Sequence, residues 1–240
     1  MHTFTAGIGW EFLDKQTLHF NFSHGGIQPR AGTVNEDLQM PTQETRIKYD
    51  LGWMGFFRGL GSATVTAFYV DQEDAIELTG QTMNIGGEIL ELYNNRKQYQ
   101  YGVEGELRSI RFACGLQGFL NATWMETCYE EDDSDWARDL TMPRFIAGGG
   151  LNYVGHHFDA SLFVRHVSGF ENTRFLPSKS DPAPLGDYID LGMTLGYSFG
   201  PYDNYRAHVR VENMTNDKYS NVVGYPDTGT RFYAGLTFKF

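Results

Sequence analysis

The chain has 240 residues, a formal net charge of −11 at pH 7 and a negative mean hydropathy. That charge excludes a nucleic-acid binder, whose phosphate contacts need a basic surface, and the lack of any run of about 18 apolar residues excludes a transmembrane helix. Aromatic residues make up 15% of it and 28 glycines are spread along it, while no stretch reads as a linker, so one all-β domain is expected.

Period-two alternation marks about eleven strands. The first sets Ala6, Ile8, Trp10 and Phe12 against Thr5, Gly7, Gly9 and Glu11, and Asp14-Lys15 turns the chain into a second with Leu18, Phe20 and Phe22 on one face. A third carries Ile47, Tyr49, Leu51 and Trp53, and a fourth Ala63, Val65, Ala67 and Tyr69. From Ala75 to Asn95 alternation continues around a turn at Asn84-Ile85-Gly86-Gly87, which predicts a long hairpin rising above the sheet. The fifth strand opposes Tyr101, Val103 and Leu107 to Glu104, Glu106 and Arg108. The sixth has Leu116, Leu120, Ala122 and Trp124, the seventh Phe145, Ala147, Leu151 and Tyr153. The eighth sets Ala160, Leu162 and Val164 against Asp159, Ser161 and Arg165. The ninth carries Ile189, Leu191, Met193, Leu195, Tyr197 and Phe199, and the tenth opposes Ala207, Val209 and Val211 to Arg206, His208, Arg210 and Glu212. The last, RFYAGLTFKF, alternates to a terminal aromatic, Phe240.

A charged face opposite an apolar one suits either a soluble sandwich with a solvated exterior or a membrane barrel with a wet lumen. The connections favour the barrel. Short turns at Asp14-Lys15, Arg58-Gly59, Gly155-His156 and residues 201–204 alternate with long loops at residues 25–41, 128–141, 169–186 and 215–229, the asymmetry of outer-membrane proteins. Large rings near strand ends, among them Trp10, Trp53, Tyr153, Phe199 and Phe238, suit interfacial girdles. Cys114 and Cys128 are read as apolar residues on the lipid face of one strand, about 45 Å apart and too far for a disulfide. The N-terminus enters a strand without signal-peptide features, so the expectation is a mature or incomplete exported chain.

Several blocks, taken in order, resemble one family. ETRIKYDLGWMG (residues 44–55), TAFYVDQEDAI (66–76), YGVEGEL (101–107), ENMTNDKY (212–219), then Gly224-Tyr225-Pro226, Gly229 and the GLTFKF ending are similar to successive blocks of TonB-dependent outer-membrane receptors. HFNFSHG (19–25) is similar to a block where the family more often has Arg in place of His24, and Met214-Thr215 stands where a bulky apolar-aromatic pair is more usual. The resemblance implies an all-β fold in which residues 1–240 are an antiparallel transmembrane β-barrel segment, half of a 22-stranded barrel, without the plug domain. An odd strand number leaves first and last strands running the same way, unable to close as an antiparallel pair. The missing plug and N-terminal barrel half would complete it. The implied function is energy-coupled uptake of a ferric siderophore, cobalamin or similar bulky nutrient, with the TonB-type energy-transducing complex acting through the plug and lipid around the barrel. Phe240 would be the barrel-assembly signal. A passive porin or adhesin-like barrel, a soluble β-rich binding module and an outer-membrane hydrolase are the alternatives.

Candidate site residues follow. Glu104, Glu106, Arg108, Arg165, Arg206, His208, Arg210 and Glu212 form a charged wall that, in the family likeness, faces the lumen and plug; without it they are a hydrated wall with cross-strand ion pairs. His19, Ser23 and His24 hint at Ser/His chemistry, but no acid lies near in sequence and no catalytic residue is expected. His156-His157 resembles a metal pair, yet adjacent strand residues point to opposite faces, so a turn is expected and no metal site. Residues 130–135, EEDDSD, lack the glycine and ligand spacing of a calcium loop. Gly148-Gly149-Gly150 has no following helix or Lys for phosphate binding and reads as close packing or strand bending. No cofactor is expected.

Overall fold

The computed structural model describes residues 3–131, 135–172 and 183–239. In chain order the strands are β1 (Phe4–Leu13), β2 (Gln16–Ile27), β3 (Glu44–Phe57), β4 (Gly61–Ile85), β5 (Glu88–Ser109), β6 (Leu116–Glu130), β7 (Trp136–Arg138), β8 (Phe145–Val154), β9 (Phe158–Val167), β10 (Phe170–Asn172), β11 (Ala183–Leu185), β12 (Tyr188–Phe199), β13 (Tyr205–Glu212) and β14 (Arg231–Phe238). A 3-10 turn, Pro201–Asp203, joins β12 to β13.

The large strands pair antiparallel with their neighbours in sequence, in the order β1-β2-β3-β4-β5-β6-β8-β9-β12-β13-β14, with β7 added to β6. β10 and β11 form a small separate ribbon within the β9–β12 connection. The sheet is open: among the described residues β1 pairs only with β2, and β14 only with β13. Both edge strands run from the long-loop end to the short-turn end.

Alternation holds across the sheet because the register aligns like with like. Leu151, Leu162, Met193, Val211 and Phe232 are successive cross-strand partners, as are Ile8, Phe20, Leu51, Ala67 and Val103. These side chains point outward into an exposed apolar belt, with Ile8 71% and Leu236 63% accessible. Water would not tolerate so extended an apolar surface; hydrocarbon does. Ring contacts frame the belt at both ends. Trp10–Phe12, Trp53–Phe57, Tyr153–Phe158 and Tyr205–Phe238 lie toward the short turns; Phe22–Tyr49, Tyr69–Tyr99 and Tyr101–Trp124 lie toward the loops.

The long hairpin extends the sheet. Ile85 and Glu88 are partners across Gly86-Gly87, whose φ values of 64° and 94° are what a tight hairpin turn demands and glycine supplies freely. At about 3.3 Å per residue, residues 73–85 carry it roughly 40 Å beyond the bulge that follows Gln72. The most buried apolar side chains, Leu92, Leu185, Tyr188 and Val167, gather at this end. Packing is therefore densest among the loops, and the barrel wall has no central core. One expectation fails here: Cys114 lies in the turn before β6 and not in a strand, because φ +87° at Gly115 ends the connection only there. Both cysteines are free thiols.

Candidate functional site

The face opposite the apolar belt is polar, and all eight charged positions singled out in the sequence lie on it. Glu104 stands between Thr66 and Thr123, Glu106 between Thr64 and Asn121, and Arg108 between Ser62 and Phe119. Arg165 is partnered by Gly148 and Asp190. Arg206, His208, Arg210 and Glu212 face Thr237, Gly235, Tyr233 and Arg231 on β14. Glu106 and Arg108 pair along their own strand at 3.3 Å, and Glu212 receives Arg210 at 2.5 Å and Arg231 at 3.1 Å. Arg206 does something the spacing did not foretell. It reaches over β12 to Asp159 on β9, with Nε–Oδ1 3.2 Å and Nη2–Oδ2 2.6 Å. The bridge passes above Gly196, where a Cβ would sit 2.5 Å from Arg206 Nη2 and 2.6 Å from Asp159 Oδ1.

Glycines on this face share a second role. Gly52, Gly102, Gly150, Gly192 and Gly235 are direct partners of His19, Phe68, Phe119, Phe163 and His208. Each ring lies over the neighbouring glycine; a Cβ at Gly192 would meet Phe163 at 2.3 Å and one at Gly52 would meet His19 at 2.2 Å. Rings resting on bare backbone fill the gaps that the missing side chains leave in the wall. Gly150 belongs to the Gly148–Gly150 run, so close packing there is observed directly.

At the loop end the inner wall opens into a polar cleft of about 500 Å³ lined by Glu77, Asn95, Arg96, Tyr129 and Glu130 among others. Arg96 organises it: its Nε is 2.5 Å from Glu77 Oε2, its guanidinium sits 3.8 Å above the Tyr129 ring, and Asp139 Oδ2 lies 3.9 Å away. An adjoining cleft of about 370 Å³ shares Glu77 and Arg96 and adds Asp139, Glu171 and Asn221. Asn95 ties the hairpin to the β2–β3 loop by donating to Thr42 O (3.0 Å) and accepting from Thr42 N–H (2.8 Å). Sequence reasoning missed this group for a definite reason. The bulge between Gln72 and Ala75, with Asp74 at φ +56°, shifts the alternation by one, so Ala75 and Glu77 take the face that even-numbered residues held before.

The ENMTNDKY block proves to be a loop lock. Asn213 is fully buried at φ +49°, a conformation asparagine tolerates. Its Nδ2 donates to Asp217 O and to Asp227 Oδ1, both at 2.8 Å, and its Oδ1 accepts from Asp217 N–H at 3.0 Å and Thr215 Oγ1 at 3.1 Å. Burial would raise the Asp227 pKa, but hydrogen bonds from Asn213 and Gly229 and the Arg231 charge overcome it and hold the carboxyl below its ordinary 3.8. Tyr219 stacks on Tyr188 at 3.5 Å, and burial, with the charges of Asp190 and Asp227, pushes its hydroxyl up to about 12.

Other candidates resolve simply. Ser23 and His19 share the inner face, opposite Lys48 and Gly52, while His24 faces the belt side opposite Phe4 and Ile47. Glu130 ends β6, 4.0 Å from Lys97; residues 132–134 and Phe240 lie outside the described residues. His156 and His157 occupy a turn, as expected, but their rings converge, with centroids 4.2 Å apart. The opposite-faces expectation fails because it holds only for strand residues.

Comparison with known proteins agrees with this geometry. The family model described as "TonB dependent receptor-like, beta-barrel" matches residues 2–214. Among solved structures, the chain is similar to the ferripyoverdine receptor of the Pseudomonas aeruginosa outer membrane at 14% identity and TM-score 0.79, covering 98% of this chain and 32% of that one. It is similar to the ferric-catecholate import receptor Fiu of E. coli K12 at 14% identity and TM-score 0.75, covering 98% and 34%. The copper transporter OprC gives 15% identity and TM-score 0.75, covering 98% and 39%. At such identities the likeness speaks to fold, and the chain spans about a third of each relative's length. No curated protein sequence matches it.

Proposed function

Given that the chain belongs to the TonB-dependent receptor β-barrel family, we propose that it forms the C-terminal half of the β-barrel of an outer-membrane receptor for energy-coupled uptake of a bulky nutrient. Ferric siderophores and cobalamin are the substrate classes the family likeness implies. The observation that carries the reading is the open sheet. Its two edge strands run in the same sense, so each seam is antiparallel only against a segment with an odd number of strands whose first and last run the other way. An N-terminal barrel half meets that requirement. Unpaired edges in hydrocarbon cost several kcal/mol per group, which supplies the drive for completion.

In the completed receptor the charged inner wall hydrogen-bonds a plug, and the loop mouth around Arg96 and Glu77 meets substrate first. A TonB-type complex acts on the plug, lipid surrounds the belt, and the substrate leaves chemically unchanged. The test has two steps. The coding sequence upstream of Met1 is read for an in-frame plug of on the order of one hundred residues and further strands. Uptake of labelled ferric siderophores and cobalamin is then measured in cells with and without the energy-transducing complex. Uptake that disappears without the complex supports the receptor; permeation that persists makes the barrel a passive pore.

A further inference from the structure

The short-turn end holds a cluster that the transport reading does not use. β9 pairs with β12, so the β8–β9 and β12–β13 turns lie side by side. The Ser198 N–H donates to His157 O at 2.7 Å and fastens one turn to the other. His156 and His157 come from the first turn and Asp203 from the second, where Tyr202 and Asp203 both take left-handed φ values of 61° and 54°.

One nitrogen from each imidazole and one oxygen of Asp203 all lie within 4.8 Å of one another. His157 Nδ1 and Asp203 Oδ1 are already in contact at 2.9 Å. A His–Asp hydrogen bond accounts for that pair and leaves the second imidazole unexplained. Both histidines are exposed, so the rings are reachable and free to turn.

Two imidazoles and one carboxylate are the donor set of a borderline divalent transition metal, whereas magnesium and calcium favour oxygen alone. Bonds of about 2.0–2.1 Å in a tetrahedral site place ligand atoms about 3.3 Å apart. Rotation of exposed side chains closes that gap without moving the paired strands. We propose that His156, His157 and Asp203 bind one divalent transition-metal ion at the short-turn end, with Zn2+ the best match and water in the fourth position. The ion would clip the two turns together.

The test titrates Zn2+ alone into the full 240-residue chain folded in detergent, by calorimetry, with Cu2+ electron paramagnetic resonance to count nitrogen ligands. Saturation near one ion per chain and a two-nitrogen Cu2+ signal are expected. His156→Ala and His157→Ala should each weaken binding at least about tenfold, a lost ligand costing no less than a lost outer-shell partner. His19→Ala, on the inner wall, should leave it unchanged. Circular dichroism of each variant checks that the sheet is retained. Binding that survives His156→Ala at full strength, or a Cu2+ signal with fewer than two nitrogens, overturns the site and leaves an ordinary His157–Asp203 contact.

Discussion

Asn213→Ala removes four hydrogen bonds at once from a fully buried position. The bond to Asp227 is charge-assisted, and its loss leaves a carboxylate short of a donor, a cost of about 1.5–3 kcal/mol. Alanine at φ +49° adds about 1–2 kcal/mol that asparagine largely escapes. Together these predict about 2.5–5 kcal/mol, felt locally because Asn213, Asp217 and Asp227 all belong to the β13–β14 connection. On a scale of 1.4 kcal/mol per tenfold, even the lower figure raises the open population by on the order of 100-fold. Lys218 is exposed in the same loop, and cleavage after it should track that population when reclosing is fast. The assay is limited trypsin digestion of the chain folded in detergent, with hydrogen exchange at the Asp217 amide as a second readout. If Asn213→Ala changes both rates by less than about twofold, the loop is not held by this side chain and the reasoning is wrong.

Other consequences follow from the same geometry. Leu195→Arg, with Ala160 and Val209 as its belt partners, should destabilise the folded sheet by about 2–4 kcal/mol in lipid, while Thr194→Arg on the inner face costs little; urea titration in liposomes compares them. Gly192→Val must displace the Phe163 ring, which a Cβ would meet at 2.3 Å, and should cost about 1–3 kcal/mol in the same titration. Asp159→Asn, by contrast, breaks an ion pair whose partners are each 33% exposed, so screening limits the loss to about 1 kcal/mol or less. A loss above about 3 kcal/mol would mean that the pair is shielded from water. Asp227 binds its proton less tightly in the fold than its ordinary value of 3.8. Its contribution is therefore present above about pH 4 and lost as pH falls through the lower folded value. Proteolysis of the 213–230 loop should therefore rise as the native chain is acidified, whereas Asp227→Asn, which lacks the charge throughout, should be cleaved faster already at neutral pH and lose that acid-dependent rise.

The strands themselves were legible in the sequence because a wall between lipid and water imposes strict alternation, and that alternation is local. Gly86-Gly87 announced the hairpin turn for the same reason, since two positive φ values admit little else. The charged wall from Arg206 to Glu212 could likewise be assigned to one face from period two alone. Where the chain departs from regular pairing, the sequence was silent. The bulge after Gln72 reverses the phase and hides Glu77 and Arg96, and the turn at residues 155–157 frees His156 and His157 from the alternation that was expected to separate them. What only tertiary structure decided was which residues meet across strands: Arg206 with Asp159 over the bare backbone of Gly196, Phe163 over Gly192, Asn213 with Asp227. Register sets those meetings, and register is a property of paired strands that no single strand carries.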